Sequence, residues 1–192
     1  MPFVRQFDFD TVLHDVMQVF WRQGYRGTSI QDLTKKTGLK PGSIYAAFGN
    51  KRGLFAQSLL LYHKMFTAHF DSLLDSTSPL STMRTLFEGV VEDALQDPDY
   101  CGCLLVNTSL DLVAHDRETA EQVGKGFEAT EQFFFTMVEK AKAAGEVSPH
   151  VNVRHTAQHL LAQFIGLRVL SRGYPDPVLL HTVVEEAFKT LR

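Results

Sequence analysis

The 192-residue chain is 44% hydrophobic and 21% charged, which allows a sizeable buried core and excludes a disordered chain. No apolar run approaches the roughly 20 residues of a membrane span, and MPFVRQFDFD has no basic stretch leading into an apolar one, so a cytoplasmic protein without membrane contact is expected. The net charge of −3 is unevenly spread: residues 1–55 hold eight Lys or Arg and four Asp, the rest 11 basic and 18 acidic residues, which suits an N-terminal part that meets a polyanion.

In chain order, apolar residues recur every three to four positions and strand-like alternation is almost absent, so the fold class is all-α. A first helix, capped by Asp8 or Asp10, carries Val12, Leu13, Val16, Val19 and Phe20 and ends near Gly24. In TSIQDLTKKTG, Thr28 and Gln31 have the spacing of a capping box and Gly38 supplies a left-handed stop, leaving a helix of about nine residues. Lys40-Pro41-Gly42-Ser43 opens a third helix with Pro41 at its first position, and Gly49 closes it. Asn50 caps a longer helix reaching about Leu74. Such short helices are marginal alone in water, so Phe20, Ile30, Leu33, Leu39, Ile44 and Phe48 are expected to pack together. A short pair joined by Gly38-Leu39-Lys40 is the pattern of a helix-turn-helix.

Downstream, Ser78-Pro79 opens a helix that Asp97-Pro98 ends, and CGCLLVNTSLDLVA follows. Asp116 caps a segment to about Ala144, stopped by Gly145; Asn152 caps one to about Arg172; Asp176 and Pro177 start the last.

A helix entering the major groove needs small residues and cations at its N-terminal turn and bulk behind them. Gly42 and Ser43 permit close approach, Lys40 offers charge, Ile44 and Phe48 face the core, and Tyr45 can donate its hydroxyl to a phosphate. Lys51 falls in the first turn of the next helix, where the dipole disfavours a cation, and a partner phosphate would account for it. The bland alternative is a small three-helix core with ordinary surface lysines.

These residues, FWRQGYRGTSIQDLTKKTGLKPGSIYAAFGNKRGLF, resemble the DNA-binding domain of the TetR family of bacterial transcriptional regulators. The Gly-Tyr after the first helix, the Thr-Ser cap, the Gly-Ser-Ile-Tyr core and Phe48 followed by Asn50-Lys51 and Leu54 carry the resemblance. It implies a homodimer of about nine helices per chain on a palindromic double-stranded operator, with Thr28, Lys40, Ser43, Tyr45 and Lys51 at the DNA. Residues 1–50 would form the helix-turn-helix domain and residues 51–192 the effector-binding and dimerisation domain, giving a ligand-responsive regulator, a repressor released by a small molecule. Ala46 and Ala47 depart from the larger residues often found there, and Arg52-Gly53 replaces a usual acidic pair.

The last two helices, with Leu160, Leu161, Phe164, Ile165 and Leu167 and then Val178, Leu179, Val183, Val184 and Phe188, carry surplus apolar surface that a dimer would use. Phe87, Val91, Phe127 and Phe134 offer walls for an effector pocket, although each is as readily core. Gly124 and Gly126 would permit a kink or close packing in the long helix. YCGCLLVNTSLDL resembles a segment of a TetR branch that includes sensors of thiol-reactive compounds. That assigns Cys103 a first-turn thiol and Asn107 a polar ligand contact, with a buried, inert cysteine as the alternative. Cys101 and Cys103 with His155 and His159 make a weak metal set, because HTAQH lacks the glutamate of a metalloprotease helix; no metal or cofactor is called for. An enzyme would need a pairing such as Cys103 with His115, which nothing in the spacing supports, and no G-x-S-x-G or phosphate loop occurs.

Overall fold

A computed structural model describes residues 8–111, 117–189 and 191. Asp116, the expected cap, and His115 lie outside the described residues. Among those described, the regular structure is nine α-helices and no strand: α1 Phe9–Gly27, α2 Ile30–Thr37, α3 Pro41–Phe48, α4 Lys51–Leu73, α5 Pro79–Gln96, α6 Leu104–Asp111, α7 Arg117–Ala143, α8 Val153–Gly173 and α9 Pro177–Lys189. No described helix is long and apolar enough to cross a membrane.

Local chemistry sets the boundaries. Asp8 caps α1, its carboxylate accepting from the Asp10 N–H, and Gly24 at φ 72° breaks the helix where the sequence places its end. Gly38 (φ 69°) ends α2 in the left-handed conformation that only glycine adopts without strain. Pro41 and Pro79 occupy first turns, where a missing N–H is harmless, and Asn50 and Asn152 cap α4 and α8.

One cap differs from expectation. The capping box is Ser29 with Asp32: the Ser29 Oγ accepts from the Asp32 N–H at 3.1 Å and the Asp32 carboxylate accepts from the Ser29 N–H at 2.8 Å. Thr28 instead donates its hydroxyl back to the Gly24 carbonyl at 2.7 Å. An ionised carboxylate is the stronger acceptor for an amide at a helix start, so the Asp32 register prevails over Gln31.

Two cores result. The first joins α1, α2, α3 and the start of α4 through Val16, Met17, Phe20, Leu33, Ile44, Phe48, Leu54 and Phe55, and continues into Cys103–Val106 at the start of α6. The second, between α5, α7, α8 and α9, centres on Phe87, whose ring meets Phe164, Phe188 and Phe134 at 5.0, 5.2 and 5.9 Å. Such aromatic pairs add about 0.5–1.5 kcal/mol each beyond area burial. The helix α4 runs from the first core to the second, where Phe70 stacks on Phe133 at 4.2 Å. It therefore connects the two halves.

The long helix α7 continues through Gly124 and Gly126. Close packing is the use made of Gly126: a Cβ there would stand 2.5 Å from Leu105 Cδ1, whereas Gly124 faces open space.

Candidate nucleic-acid interface and effector region

The α3 helix is anchored from behind by buried Ile44 and Phe48 and shows its other side to solvent. Lys40, Pro41, Gly42, Tyr45 and Ala46 are exposed, and Ser43 is half-buried. Lys40 holds the N-cap position, its carbonyl accepting from the Ser43 and Ile44 N–H groups while its side chain makes no cap bond. The side chain is thus left to solvent at the positive end of the helix. Tyr45 is 44% exposed, a large aromatic at a surface where burial would be favourable.

Two sequence-assigned contacts sit differently. Thr28 is 1% exposed and donates its hydroxyl to the Gly24 carbonyl in the last turn of α1, so that hydroxyl is engaged within the chain. Lys51 lies over the Tyr25 ring, 4.5 Å from its centroid, and Tyr25 in turn meets Phe55 at 5.1 Å. Partial burial lowers the Lys51 pKa, with Asp32 pulling the other way.

Gly53, noted in the sequence only as a departure, has a physical reason. A Cβ there would stand 2.6 Å from the Phe48 carbonyl oxygen, and the Gly53 N–H donates to the Asn50 cap at 2.9 Å. The tight α3–α4 junction, which sets Lys51 just after α3, requires glycine.

The residues assigned to an effector divide into two groups. Phe87, Val91 and Phe134 are buried in the second core. Cys103 and Phe127 line one internal cavity of about 20 Å³ with Phe66, Thr130, Phe164 and Arg168. Asn107 stands one turn on, its amide donating to the Cys101 carbonyl at 2.8 Å, so it braces the loop before α6. Cys103 is at the N-cap position of α6 rather than inside its first turn: its carbonyl accepts from the Asn107 N–H.

Groups that sequence patterning did not single out surround this cysteine. Tyr62 donates its hydroxyl to the Cys103 sulfur at 3.4 Å, and burial, with Cys103 next, pushes the phenol pKa well above its ordinary value. Arg168 lies over the Phe164 ring at 5.0 Å and donates to the Tyr100 hydroxyl at 3.4 Å. Burial also raises the Tyr100 pKa, with Arg168 opposing. The loop before α6 touches the first helix, where the Trp21 indole donates to the Gly102 carbonyl at 3.1 Å, and the end of α6 does so too, where Arg26 pairs with Asp111 at 3.0 Å. His155 and His159 lie on α8, and no three His, Cys, Asp or Glu among the described residues gather closely enough to hold a metal.

On α8 and α9, Ala157, Leu160, Phe164, Leu167, Leu180, Val184, Ala187 and Phe188 face inward. Leu161 and Ile165 are half-buried, and Val169 and Val178 remain exposed, Val178 at 76%.

Residues 13–57 match a family model described as bacterial regulatory proteins, tetR family, and residues 79–187 one described as a tetracyclin repressor-like C-terminal domain. The HTH-type transcriptional repressor ComR of Escherichia coli (strain K12) is 29% identical over 188 residues, 97% of this chain and 88% of ComR. The HTH-type regulator YezE of Bacillus subtilis (strain 168) is 28% identical over 191 residues, 97% of each. Among solved structures, a cysteine mutant of the TetR-family regulator CifR complexed with 26bp double-strand operator DNA aligns with a TM-score of 0.84 at 27% identity, covering 98% of this chain and 99% of that one. The reduced form of E. coli NemR shares the fold, with a TM-score of 0.84 at 17% identity over 93% of each chain. With both its N-terminal and its C-terminal helical parts matched, the chain belongs to the TetR family of bacterial transcriptional regulators.

Proposed function

We propose that the protein is a cytoplasmic, dimeric repressor whose operator binding is relieved by a small-molecule effector, and that it is a regulator rather than an enzyme. The observation that carries this reading is the two-sided α3 helix: Ile44 and Phe48 lock it from behind while Lys40, Gly42, Ser43 and Tyr45 face outward at its N-terminal turn. Residues 1–50 would dock and residues 51–192 would bind effector and partner. In a dimer, two α3 helices spaced about 34–36 Å apart reach successive major grooves.

Lys40, Ser43 and Tyr45 serve as contacts from α3, Gly42 gives clearance, and Lys51 adds charge from α4. Thr28, just after α1, holds its hydroxyl on the Gly24 carbonyl. Cys103, Phe127 and Asn107 belong to the effector side, with Phe87, Val91 and Phe134 as the packed core beneath. Because the loop before α6 is hydrogen-bonded to Trp21, a change there is transmitted to α1, against which α2 and α4 pack. A hundredfold loss of operator affinity needs about 2.7 kcal/mol of coupling, within the ordinary allosteric range.

The test is operator binding against salt. Affinity should fall steeply, with several phosphates contributing to the slope, and Tyr45→Ala with Lys51→Met should weaken binding at every salt concentration. A flat titration, or unchanged affinity in the double variant, overturns the reading.

A second reading has its own observation. The Tyr62 hydroxyl donates to the Cys103 sulfur at the start of α6, where Cys103 lines a small cavity, and on this reading a thiol-reactive electrophile is the inducing signal. Equal operator affinity of alkylated wild type and alkylated Cys103→Ser would dismiss it.

A further inference from the structure

Arg168 is a half-buried cation with no carboxylate in contact among the described residues. Its Nε is shut off from solvent and has no hydrogen-bond partner, and among the described residues no carboxylate lies within 4.0 Å of it. Its named partners are the Tyr100 hydroxyl and the Phe164 ring. Both nearby phenols, Tyr62 and Tyr100, are held protonated by burial at neutral pH and so offer dipoles rather than charge. An Nε–H shut away without an acceptor carries a desolvation cost, so this guanidinium gains from an added acceptor.

The guanidinium also stands where three spaces meet. One is the internal cavity beside Cys103; another, of about 350 Å³, borders α1 at Trp21 and Arg22; the third, of about 390 Å³, lies between α4, α5 and α8 with His69, Ser81, Thr82 and Thr85 on its walls. The third has the size of a small-molecule site, with hydroxyls and the Arg168 side chain on its walls. Exposed Asp93 on the same wall would repel a second negative group.

We propose that Arg168 anchors the carboxylate of a small organic monoacid in the cleft between α4, α5 and α8, and that this acid is the effector. The proposal rests on the effector-controlled reading above. A guanidinium fork matches a carboxylate with two parallel N–H···O bonds, which the single phenol oxygen of Tyr100 does not supply. Drawing Arg168 onto the acid releases Tyr100, two residues from the Gly102 carbonyl that holds Trp21 of α1. The acid therefore acts on the strap between the effector side and the DNA-binding helices.

The experiment titrates benzoate, hexanoate and decanoate, their amides, succinate and sulfate at fixed ionic strength into wild type, Arg168→Met and Arg168→Lys. Melting temperature and operator anisotropy are both read. Expected are stabilisation of wild type by at least one monocarboxylate, a tenfold or greater loss of operator affinity with it, silence of the amides, and no response in Arg168→Met, which still binds operator. Should Arg168→Met fail to fold, Arg168→Lys, keeping charge without the fork, must weaken the acid by about tenfold. Amides equal to acids, sulfate or succinate equal to the monoacids, no stabilising acid, or a wild-type response in Arg168→Met each overturn the site. Stabilisation by an acid that leaves operator affinity intact upholds the site and overturns its effector role, whereas intact operator binding with no acid response overturns the inference and leaves the DNA-binding reading standing.

Discussion

The Lys51 ammonium stands 4.5 Å from the centroid of the Tyr25 ring, so the first turn of α4 is tied to the last turn of α1 by a cation lying over an aromatic face. Burial lowers the Lys51 pKa in the folded protein. The sign follows: at neutral pH the lysine is protonated in both folded and unfolded chains, so its charge opposes folding there, and that opposition fades only as the pH rises through its folded pKa toward the unfolded one. Removing the charge relieves this cost and removes a cation–π contact of about 0.5–1 kcal/mol. Lys51→Met should therefore shift the melting temperature by no more than about 4–5 °C in either direction. Operator affinity, in contrast, should drop across all sequences and the salt slope should shrink by about one. A large fall in melting temperature with an unchanged salt slope would make Lys51 a structural residue.

Two glycines two positions apart in α7 should answer oppositely to alanine. At Gly124 the space is open, so Gly124→Ala should stabilise by about 0.5–1 kcal/mol through helix propensity alone. At Gly126 the new methyl meets Leu105 at 2.5 Å, and Leu105 is itself buried at the start of α6. Gly126→Ala should destabilise by about 1–3 kcal/mol and displace α6. Denaturant midpoints of the two variants decide it, and equal signs would refute the α6–α7 packing.

Helix limits were legible because their signals are local: Gly24 and Gly38 adopt the positive φ that marks a stop, and Pro41, Pro79, Asn50 and Asn152 act within one turn. The cap of α2 was misread by one residue because TSIQD contains two overlapping boxes, and the choice depends on where Thr28 points its hydroxyl. Gly53 was not legible, since its need is set by the carbonyl of Phe48 across a junction rather than by its own helix. On the effector side, the phenylalanines were visible but not which of them bound a space, and Arg168 was passed over because a cation in LRVL reads as solvent-facing. Its register carried a clue: Arg168 follows buried Phe164 by four positions and so lies on the inward face of α8.

The two cysteines should react differently with alkylating agents. Cys101 is half-buried and donates to the Asp99 carbonyl at 3.0 Å; burial raises its pKa, with Arg22 and Arg172 opposing. The thiolate is the reactive form, so modification of Cys101 at neutral pH should be slower than that of an unfolded-peptide thiol and should keep accelerating above pH 9. Cys103 is buried beneath Tyr62 and should react only as fast as the cavity opens. In Tyr62→Phe, Cys103 loses its hydroxyl donor, and its labelling rate should change while that of Cys101 does not. Mass spectrometry of N-ethylmaleimide adducts over time and pH measures both; an unchanged Cys103 rate in Tyr62→Phe would show that the hydrogen bond does not govern the thiol.

Val178, in the first turn of α9, is 76% exposed, although the rest of that helix turns Leu180, Val184, Ala187 and Phe188 inward. Val169 on α8 is exposed as well, so both of the last two helices keep apolar side chains at the surface that a pair of copies would cover. Val178→Asp removes apolar contact and sets two like charges near the symmetry axis of such a pair, while in a lone chain it changes only an exposed side chain. The variant should keep the melting behaviour of its own helices within about 0.5 kcal/mol of the parent at low concentration. It should nevertheless run as a monomer at micromolar concentration in light scattering and bind a full palindrome little better than a half-site. A Val178→Asp protein that remains dimeric with undiminished operator affinity would place the dimer contact elsewhere on α8 and α9.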